Sequence, residues 1–141
     1  MKILIDTNVI LDVLCNRKSF MGDSLNIMRL CEAKKIVGCI SALSIANIIY
    51  IMRKELNHED IKLLLNKIGH ILEIVDLKTN DLMMACIQEF NDYEDAIQSV
   101  QASRIKANFI VTRNIKDFDK SKVFTLEPKE FLEQMHNIME A

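Results

Sequence analysis

The chain has 141 residues, 50% of them hydrophobic and 27% charged, and a formal net charge of −2. This length and composition exclude a disordered chain and predict that residues 1–141 form a single globular domain. The near-neutral charge excludes a molecule that is basic overall, so any bound nucleic acid has to be held by a local patch or through metal ions.

The composition also indicates the compartment. No apolar stretch approaches the length of a membrane span, and the first residues lack the pattern of a signal peptide, so we expect a cytoplasmic protein with no membrane partner. The four cysteines form no C-x-x-C pair, and no histidine stands at zinc-ligand spacing from them. We therefore expect free, buried thiols in a reducing compartment. They are Cys15, Cys31, Cys39 and Cys86.

Taken in order, the chain alternates short apolar runs with helical patterns. The first run, Ile3-Leu4-Ile5, is typical of a strand buried on both faces, as in a parallel sheet covered by helices. Four more strands are predicted at 36–40, 71–75, 108–112 and 123–125. Helices are predicted at 8–15, from Gly22-Asp23-Ser24 to about 35, after Ser41 as N-cap, from Asn57 as N-cap to about 69, at 79–90 and 96–106, and from Pro128. Residues 16–19 are predicted as a break and 113–118 as a polar loop. This order predicts a three-layer α/β/α fold around a parallel sheet of about five strands.

Several polar side chains should meet at one edge of that sheet. Asp6 ends the first strand, Asp95 begins the helix before strand four, and Asn114 and Asp117 follow strand four. Open α/β sheets bind their ligands at the carboxyl ends of the strands. Carboxylates gathered there repel one another, and Mg²⁺ relieves the repulsion while leaving sites for water and phosphate oxygens. The expected chemistry is metal-assisted attack of water on a phosphodiester.

Four segments, taken in order, resemble the successive motifs of the PIN domain family. They are ILIDTNVILDVL, SALSIANIIYIMRK, DYEDAIQSVQA and FIVTRNIKDF. The resemblance spans nearly the whole chain and implies a ribonuclease that depends on Mg²⁺ or Mn²⁺. Many members of the family are VapC-type toxins of toxin–antitoxin pairs, which implies an RNA substrate, an antitoxin protein as partner and a homodimer.

The resemblance assigns roles to individual positions. Asp6 matches the first metal-binding acid of the family and Asp95 the third. Asn8 matches the polar residue near the first acid, and Thr112 matches the small hydroxyl residue of the strand-four motif. We therefore expect Asp6 and Asp95 to hold the metal ion, with Asn8 and Thr112 in supporting positions.

Two positions depart from the family pattern. Asn47 stands where the family usually has a glutamate, and Asn114 stands where the T-x-D motif ends in an aspartate. Both asparagines are expected to act as neutral ligands or to position water. Glu94 and Asp117 are the acids expected to replace the missing carboxylates, so they join Asp6 and Asp95 as candidate catalytic residues.

Flanking charges leave two interpretations open. Arg113 and Lys116 border the predicted site and either hold a substrate phosphate or are ordinary solvated charges. Asp92 is expected to cap a helix or face solvent, and Asp12, inside the first helix, is expected to be exposed.

The sequence therefore favours a metal-dependent endoribonuclease acting on single-stranded RNA, with a toxin role. The alternative is a catalytically weakened PIN-like domain that binds RNA or a protein, since two acids have become amides. A receiver-like phospho-acceptor domain also places acids at strand ends. It is disfavoured because its acidic pair should precede the acceptor strand and no lysine follows a late strand in the expected loop.

Overall fold

The computed structural model describes residues 1–140 and contains five strands and seven α-helices within them. A short 3₁₀ helix, Ile115–Phe118, follows the fourth strand. In chain order the elements are β1 (Lys2–Ile5), α1 (Thr7–Leu14), α2 (Lys18–Glu32), β2 (Val37–Ser41), α3 (Ala42–Ile51), α4 (His58–Ile71), β3 (Glu73–Val75), α5 (Thr79–Ile87), α6 (Tyr93–Arg104), β4 (Phe109–Val111), β5 (Phe124–Leu126) and α7 (Pro128–Glu140).

The strands form one parallel sheet in the order β3-β2-β1-β4-β5. β1 lies at the centre and pairs with β2 on one side and β4 on the other, with Leu4 opposite both Cys39 and Ile110. The side on which successive strands are added changes at β1, because β2 and β3 lie on one side of it and β4 and β5 on the other. This is the switch point at which parallel sheets open a crevice at their carboxyl edge.

Helices cover both faces of the sheet, so the predicted three-layer α/β/α fold is confirmed. Ile3 and Ile5 face a core that also contains residues of α1, α2, α4 and α7, among them the fully buried Phe131. Leu4 faces the opposite core with Ala102 of α6 and Phe118 of the 3₁₀ helix. The alternation of successive side chains between two covered faces explains why β1 is apolar at three consecutive positions, Ile3, Leu4 and Ile5.

Three helices begin where short polar side chains cap their free N–H groups, as expected. The Ser41 hydroxyl accepts a hydrogen bond from Leu43 N. Asn57 and Asp60 form a reciprocal capping box at α4. Asp92 accepts a hydrogen bond from Asp95 N and therefore caps α6, which confirms its expected capping role.

The start of α2 was predicted wrongly. The predicted break at 16–19 is reduced to a sharp turn at Asn16, which has a left-handed φ of 50°, and the helix already begins at Lys18. Asparagine adopts this conformation more easily than most residues, so the reversal needs little additional chain. Gly22, expected to open the helix, lies inside it and is exposed.

Other boundaries also differ from the prediction. Helix α4 continues through Ile71, so β3 is limited to Glu73–Val75. Helix α5 ends at Ile87 and not at Phe90, while α6 begins at Tyr93, three residues earlier than expected. The predicted polar loop contains the 3₁₀ helix because Phe118 is buried and packs edge-to-face on Phe90.

All four cysteines, which lie in the described part of the chain, are free thiols. The expectation that they are buried is right for Cys31 and Cys39 and wrong for Cys15 and Cys86, which are exposed. Burial raises the pKa of Cys31 to about 12 and that of Cys39 to about 11, so neither thiol is reactive at neutral pH. Among residues 1–140, no helix is long and apolar enough to cross a membrane.

Candidate active site

A polar cleft of about 350 Å³ opens at the carboxyl edge of the sheet. It is formed where β1 passes into α1, together with the outer part of α3, the start of α6 and the 3₁₀ helix. Five of its side chains carry carboxylates and two carry amides. The lining residues are Asp6, Thr7, Asn8, Leu11, Asn47, Tyr50, Ile51, Asp92, Glu94, Asp95 and Asp117.

Asp6 lies at the bottom of this cleft and is only 4% exposed. The amide of Gln98 donates a hydrogen bond to Asp6 Oδ1 at 3.0 Å, and the Thr112 hydroxyl donates one to Oδ2 at 2.9 Å. Burial raises the pKa of Asp6 above its ordinary value, although these two hydrogen bonds act in the opposite direction. The carboxylate is thus fixed in one orientation and remains short of compensating positive charge.

Glu94 is held in the cleft by Thr7. The Thr7 hydroxyl lies 3.0 Å from Glu94 Oε1 and 2.7 Å from the hydroxyl of the buried Ser44. An ionised carboxylate can only accept, so Thr7 donates its single proton to Glu94 and Ser44 supplies the proton between the two hydroxyls. This chain of contacts connects α1, α3 and α6 around one carboxylate.

Asp95 has a carboxylate whose pKa is strongly raised by its surroundings. Burial and the negative charges of four neighbouring acids raise its pKa from 3.8 to about 7. Those acids, in decreasing order of effect, are Asp92, Asp6, Asp117 and Glu94. Asp95 therefore lies within the electrostatic reach of Asp6, although the two are 89 positions apart in the chain.

The other predicted site residues divide into two groups. Asn8, Asn47 and Asp117 line the cleft together with the acids. Asn114 and Lys116 are exposed and do not line it.

Thr112 and Asn114 are connected behind the cleft. The Thr112 hydroxyl donates a hydrogen bond to Asp6 and also accepts one from Asn114 N. Thr112 therefore links Asp6 to the segment after β4, whereas the amide side chain of Asn114 has no contact with the cleft.

Arg113 points away from the cleft and pairs with Asp12. Its Nε lies 2.7 Å from Asp12 Oδ2, and its guanidinium carbon lies 4.0 Å from the ring centroid of Phe20. The expectation that Asp12 is exposed is wrong, because the residue is fully buried and also approaches Arg17 at 3.4 Å. A buried carboxylate has to be paired, and this pairing takes up the Arg113 side chain.

The side chains of this cleft suit a divalent ion that needs only one or two carboxylate ligands. Within residues 1–140 there is no group of three or more His, Cys, Asp or Glu side chains arranged to enclose a metal ion. Mg²⁺ does not require such an enclosure, because it usually binds one or two carboxylates and keeps several waters. Asp6 and Asp95 supply two carboxylates, and the raised pKa of each indicates negative charge that lacks a cation.

Four residues of the site were missed by sequence reasoning, one of them Thr7, which directly follows Asp6 and holds Glu94. Gln98 follows Asp95 by three positions, so one helical turn of α6 presents both toward Asp6, and this spacing could have identified it. Ser44 precedes Asn47 by three positions on α3 in the same way. Tyr50 is the next residue at that spacing, but an exposed aromatic side chain carries no comparable signal in the sequence.

The family model described as PIN domain matches residues 2–116. The chain belongs to the PIN domain family. This confirms the resemblance carried by the four motifs, and the fold identified from them. A comparison with curated proteins finds no match.

Solved structures with a similar fold come from toxin–antitoxin complexes. VapBC2 from Rickettsia felis, bound to a DNA fragment from the promoter, is 19% identical with a TM-score of 0.67, covering 90% of this chain and 98% of that one. A toxin–antitoxin complex from Klebsiella pneumoniae is 20% identical with a TM-score of 0.67, covering 89% and 96%. VapBC-1 from nontypeable Haemophilus influenzae is 14% identical with a TM-score of 0.64, covering 92% and 99%. At these identities the likeness extends to the fold alone.

Proposed function

We propose that this PIN domain is a metal-dependent endoribonuclease that hydrolyses phosphodiester bonds in single-stranded RNA, acting as the toxin of a toxin–antitoxin pair. The observation that carries the proposal is the convergence of Asp6 and Asp95 on one cleft where neither carboxylate has a positive partner within it. Clustered acids with raised pKa values mark functional sites more often than structural ones. Membership of the PIN family and the toxin–antitoxin structures of similar fold support the same assignment.

Asp6 and Asp95 are proposed to bind Mg²⁺ or Mn²⁺. When bound, such an ion lowers the pKa of a water molecule and neutralises negative charge on the scissile phosphate. Both oxygens of Asp6 already accept one hydrogen bond each, from Gln98 and Thr112, and each retains a lone pair for the ion. The two donors thereby hold the carboxylate in a fixed orientation, as hydrogen-bond partners of metal-binding side chains commonly do.

Glu94 is proposed as the group that orients the attacking water and accepts its proton. Its Oε1 is engaged by Thr7, so Oε2 is the oxygen available to the water. Asp117, exposed on the 3₁₀ helix at the rim, is proposed as a second acid in place of the carboxylate absent at Asn114. Asn47 and Asn8 offer neutral amide oxygens for water positioning, whereas Asn114, which does not line the cleft, is given no role in it.

Lys116, and not Arg113, is proposed as the residue that contacts a substrate phosphate. Lys116 lies on the exposed side of the 3₁₀ helix, one residue from Asp117. Arg113 holds Asp12 and stacks on Phe20, so releasing its guanidinium to a phosphate would leave a buried carboxylate with only its longer, 3.4 Å contact to Arg17.

The experiment is cleavage of a 5′-fluorescein-labelled single-stranded RNA in Mn²⁺ by the wild type and the Asp6→Asn variant. We expect the variant to lose activity by at least a hundred-fold, since one carboxylate ligand is removed. Asp119→Asn is the matched control, because Asp119 is an exposed acid near the site that does not line the cleft. Equal cleavage by wild type and Asp6→Asn would refute the mechanism.

A small antitoxin protein and a second copy of the chain are the proposed protein partners. The complexes named VapBC support the first. Exposed apolar side chains on α5, namely Met83, Met84 and Ile87, support the second, since such patches mark contact surfaces. Light scattering coupled to size-exclusion chromatography tests the homodimer, and co-expression with the product of the adjacent reading frame tests the antitoxin.

The second candidate function is an RNA- or protein-binding module with a weakened metal site. The observation that favours it is Asn47, an amide among the acids of the cleft. Calorimetric titration with Mn²⁺ separates the two functions. Binding tighter than millimolar that is lost in Asp6→Asn supports the nuclease, whereas no heat above background supports the binding module.

A further inference from the structure

Tyr50 is the large aromatic side chain beside the acidic cleft. It lies in the last turn of α3, lines the cleft and is 64% exposed. Ile51, the final residue of α3, also lines the cleft and is 51% exposed. A flat, open and mostly apolar surface therefore adjoins the proposed metal site.

Arg53 is already arranged against this surface. Its guanidinium carbon lies 4.1 Å from the ring centroid of Tyr50, and its Nη1 donates a 2.7 Å hydrogen bond to the Tyr50 carbonyl. The backbone contact fixes the cation over one part of the ring. Because Tyr50 keeps most of its surface in water, the remainder of the ring is open to a ligand.

The chemistry of this pair suits an unpaired nucleotide. Bases stack on aromatic rings and on guanidinium planes, and stacking one base contributes roughly five- to hundred-fold in affinity. The guanidinium also supplies positive charge beside a cleft that contains five acids, which would otherwise repel a polyanion. A hydrophobic partner alone would gain nothing from a cation ordered over the ring.

We propose that Tyr50 and Arg53 form a subsite for one nucleotide of the RNA strand next to the scissile phosphate. The base stacks on the Tyr50 ring, and the Arg53 guanidinium contacts the adjoining backbone phosphate. This inference rests on the proposed nuclease function and specifies its substrate class. Every base has a π-face, so the subsite selects unpaired strands over duplexes and does not read sequence.

The first test measures cleavage of a fluorescein-labelled 12-nucleotide single-stranded RNA in Mn²⁺. For Tyr50→Ala we expect the substrate concentration at half-maximal rate to rise roughly ten-fold, with the maximal rate within about two-fold of wild type. Tyr50→Phe keeps the ring and should behave as wild type. For Arg53→Met we expect the substrate concentration at half-maximal rate to rise and to depend less on salt. Arg29→Met, which removes an exposed cation on α2, should leave both unchanged.

The second test separates this inference from the nuclease proposal. In the Asp6→Asn background, an RNA carrying 2-aminopurine should bind without cleavage, and its fluorescence should be quenched when Tyr50 is present but not in Tyr50→Ala. Cleavage by the Asp6→Asn protein overturns the nuclease proposal. Quenching that is independent of Tyr50, or half-maximal concentrations equal to wild type, overturns the subsite. A change of molecular mass in Tyr50→Ala by light scattering also overturns it, because the ring would then cover a second copy of the chain.

Discussion

Replacing Asp95 by asparagine should make the metal-free protein more stable at neutral and alkaline pH. The substitution keeps the shape of the side chain and removes the charge that four neighbouring acids oppose. The Asp92 cap is retained, because it binds the backbone N–H of residue 95. The variant thus reproduces, at every pH, the protonated form of the wild-type residue.

The sign and size of this difference in the free energy of unfolding follow from the raised pKa of Asp95. Asp95 has a pKa of about 7 in the folded protein, compared with 3.8 as its ordinary value. The favourable contribution of its protonated form is therefore fully present below pH 4 and is lost as the pH rises from about 4 to 7. The whole difference corresponds to about 4 kcal/mol, and solvent screening of this half-buried group reduces the expected effect to about 2 kcal/mol.

The assay is urea denaturation in EDTA at pH 5 and pH 8. The free energy of unfolding of Asp95→Asn should exceed that of wild type by about 2 kcal/mol at pH 8, and the difference should shrink at pH 5. Glu133→Gln, which changes an exposed acid on α7, should leave the difference unchanged. Parallel pH profiles for wild type and Asp95→Asn would refute the electrostatic account. Mn²⁺ should restore the stability of wild type at pH 8 but not that of the variant.

Three further substitutions test the part of the fold that supports the site. Gly38→Ala should destabilise the fold by about 1–3 kcal/mol, because a Cβ at this position of β2 would collide with Cys31 Sγ. Gly69→Ala should stabilise α4 by about 0.5–1 kcal/mol, because no atom lies within 4 Å of the added Cβ. Urea midpoints equal to that of wild type would contradict both predictions. Arg113→Met should lower the free energy of unfolding by about 3 kcal/mol, since the buried Asp12 keeps only its longer, 3.4 Å contact to Arg17. Thermal unfolding checks this, and a variant as stable as wild type but weaker in RNA cleavage would instead indicate a phosphate contact.

The fold was predictable because its signals are local. A strand buried on both faces is apolar at consecutive positions, and Ile3, Leu4 and Ile5 show this directly. Helices that alternate with such strands allow few topologies, because parallel crossovers are right-handed. The boundaries were less predictable since they depend on contacts between distant residues. The polar segment after β4 forms a 3₁₀ helix that buries Phe118 against Phe90, a contact between residues far apart in the sequence.

The acids of the cleft were predictable to the level of the sheet edge, because strand ends fix where Asp6 lies. Of the two side chains that bond Asp6, Thr112 was expected in a supporting position, whereas Gln98 was missed because it reaches Asp6 from a distant helix. Asp12 shows the same limit from the other side. An acid inside an amphipathic helix resembles a solvated residue until the segment after β4 brings Arg113 against it.

The replacement of a glutamate by Asn47 is best understood through the same tertiary contacts. A carboxylate can serve a cleft from any element that reaches it, and its usefulness depends on how firmly it is held. Glu94 reaches this cleft from α6, and the Thr7 hydroxyl, itself bonded to Ser44 of α3, fixes its Oε1. Under our proposal that Glu94 serves in place of the family's glutamate, α3 still supports this acid through Ser44 although it carries Asn47. If this is right, Thr7→Val should weaken cleavage much as Glu94→Gln does, although it removes no charge, and an additive loss in the double variant would show that the two residues act independently.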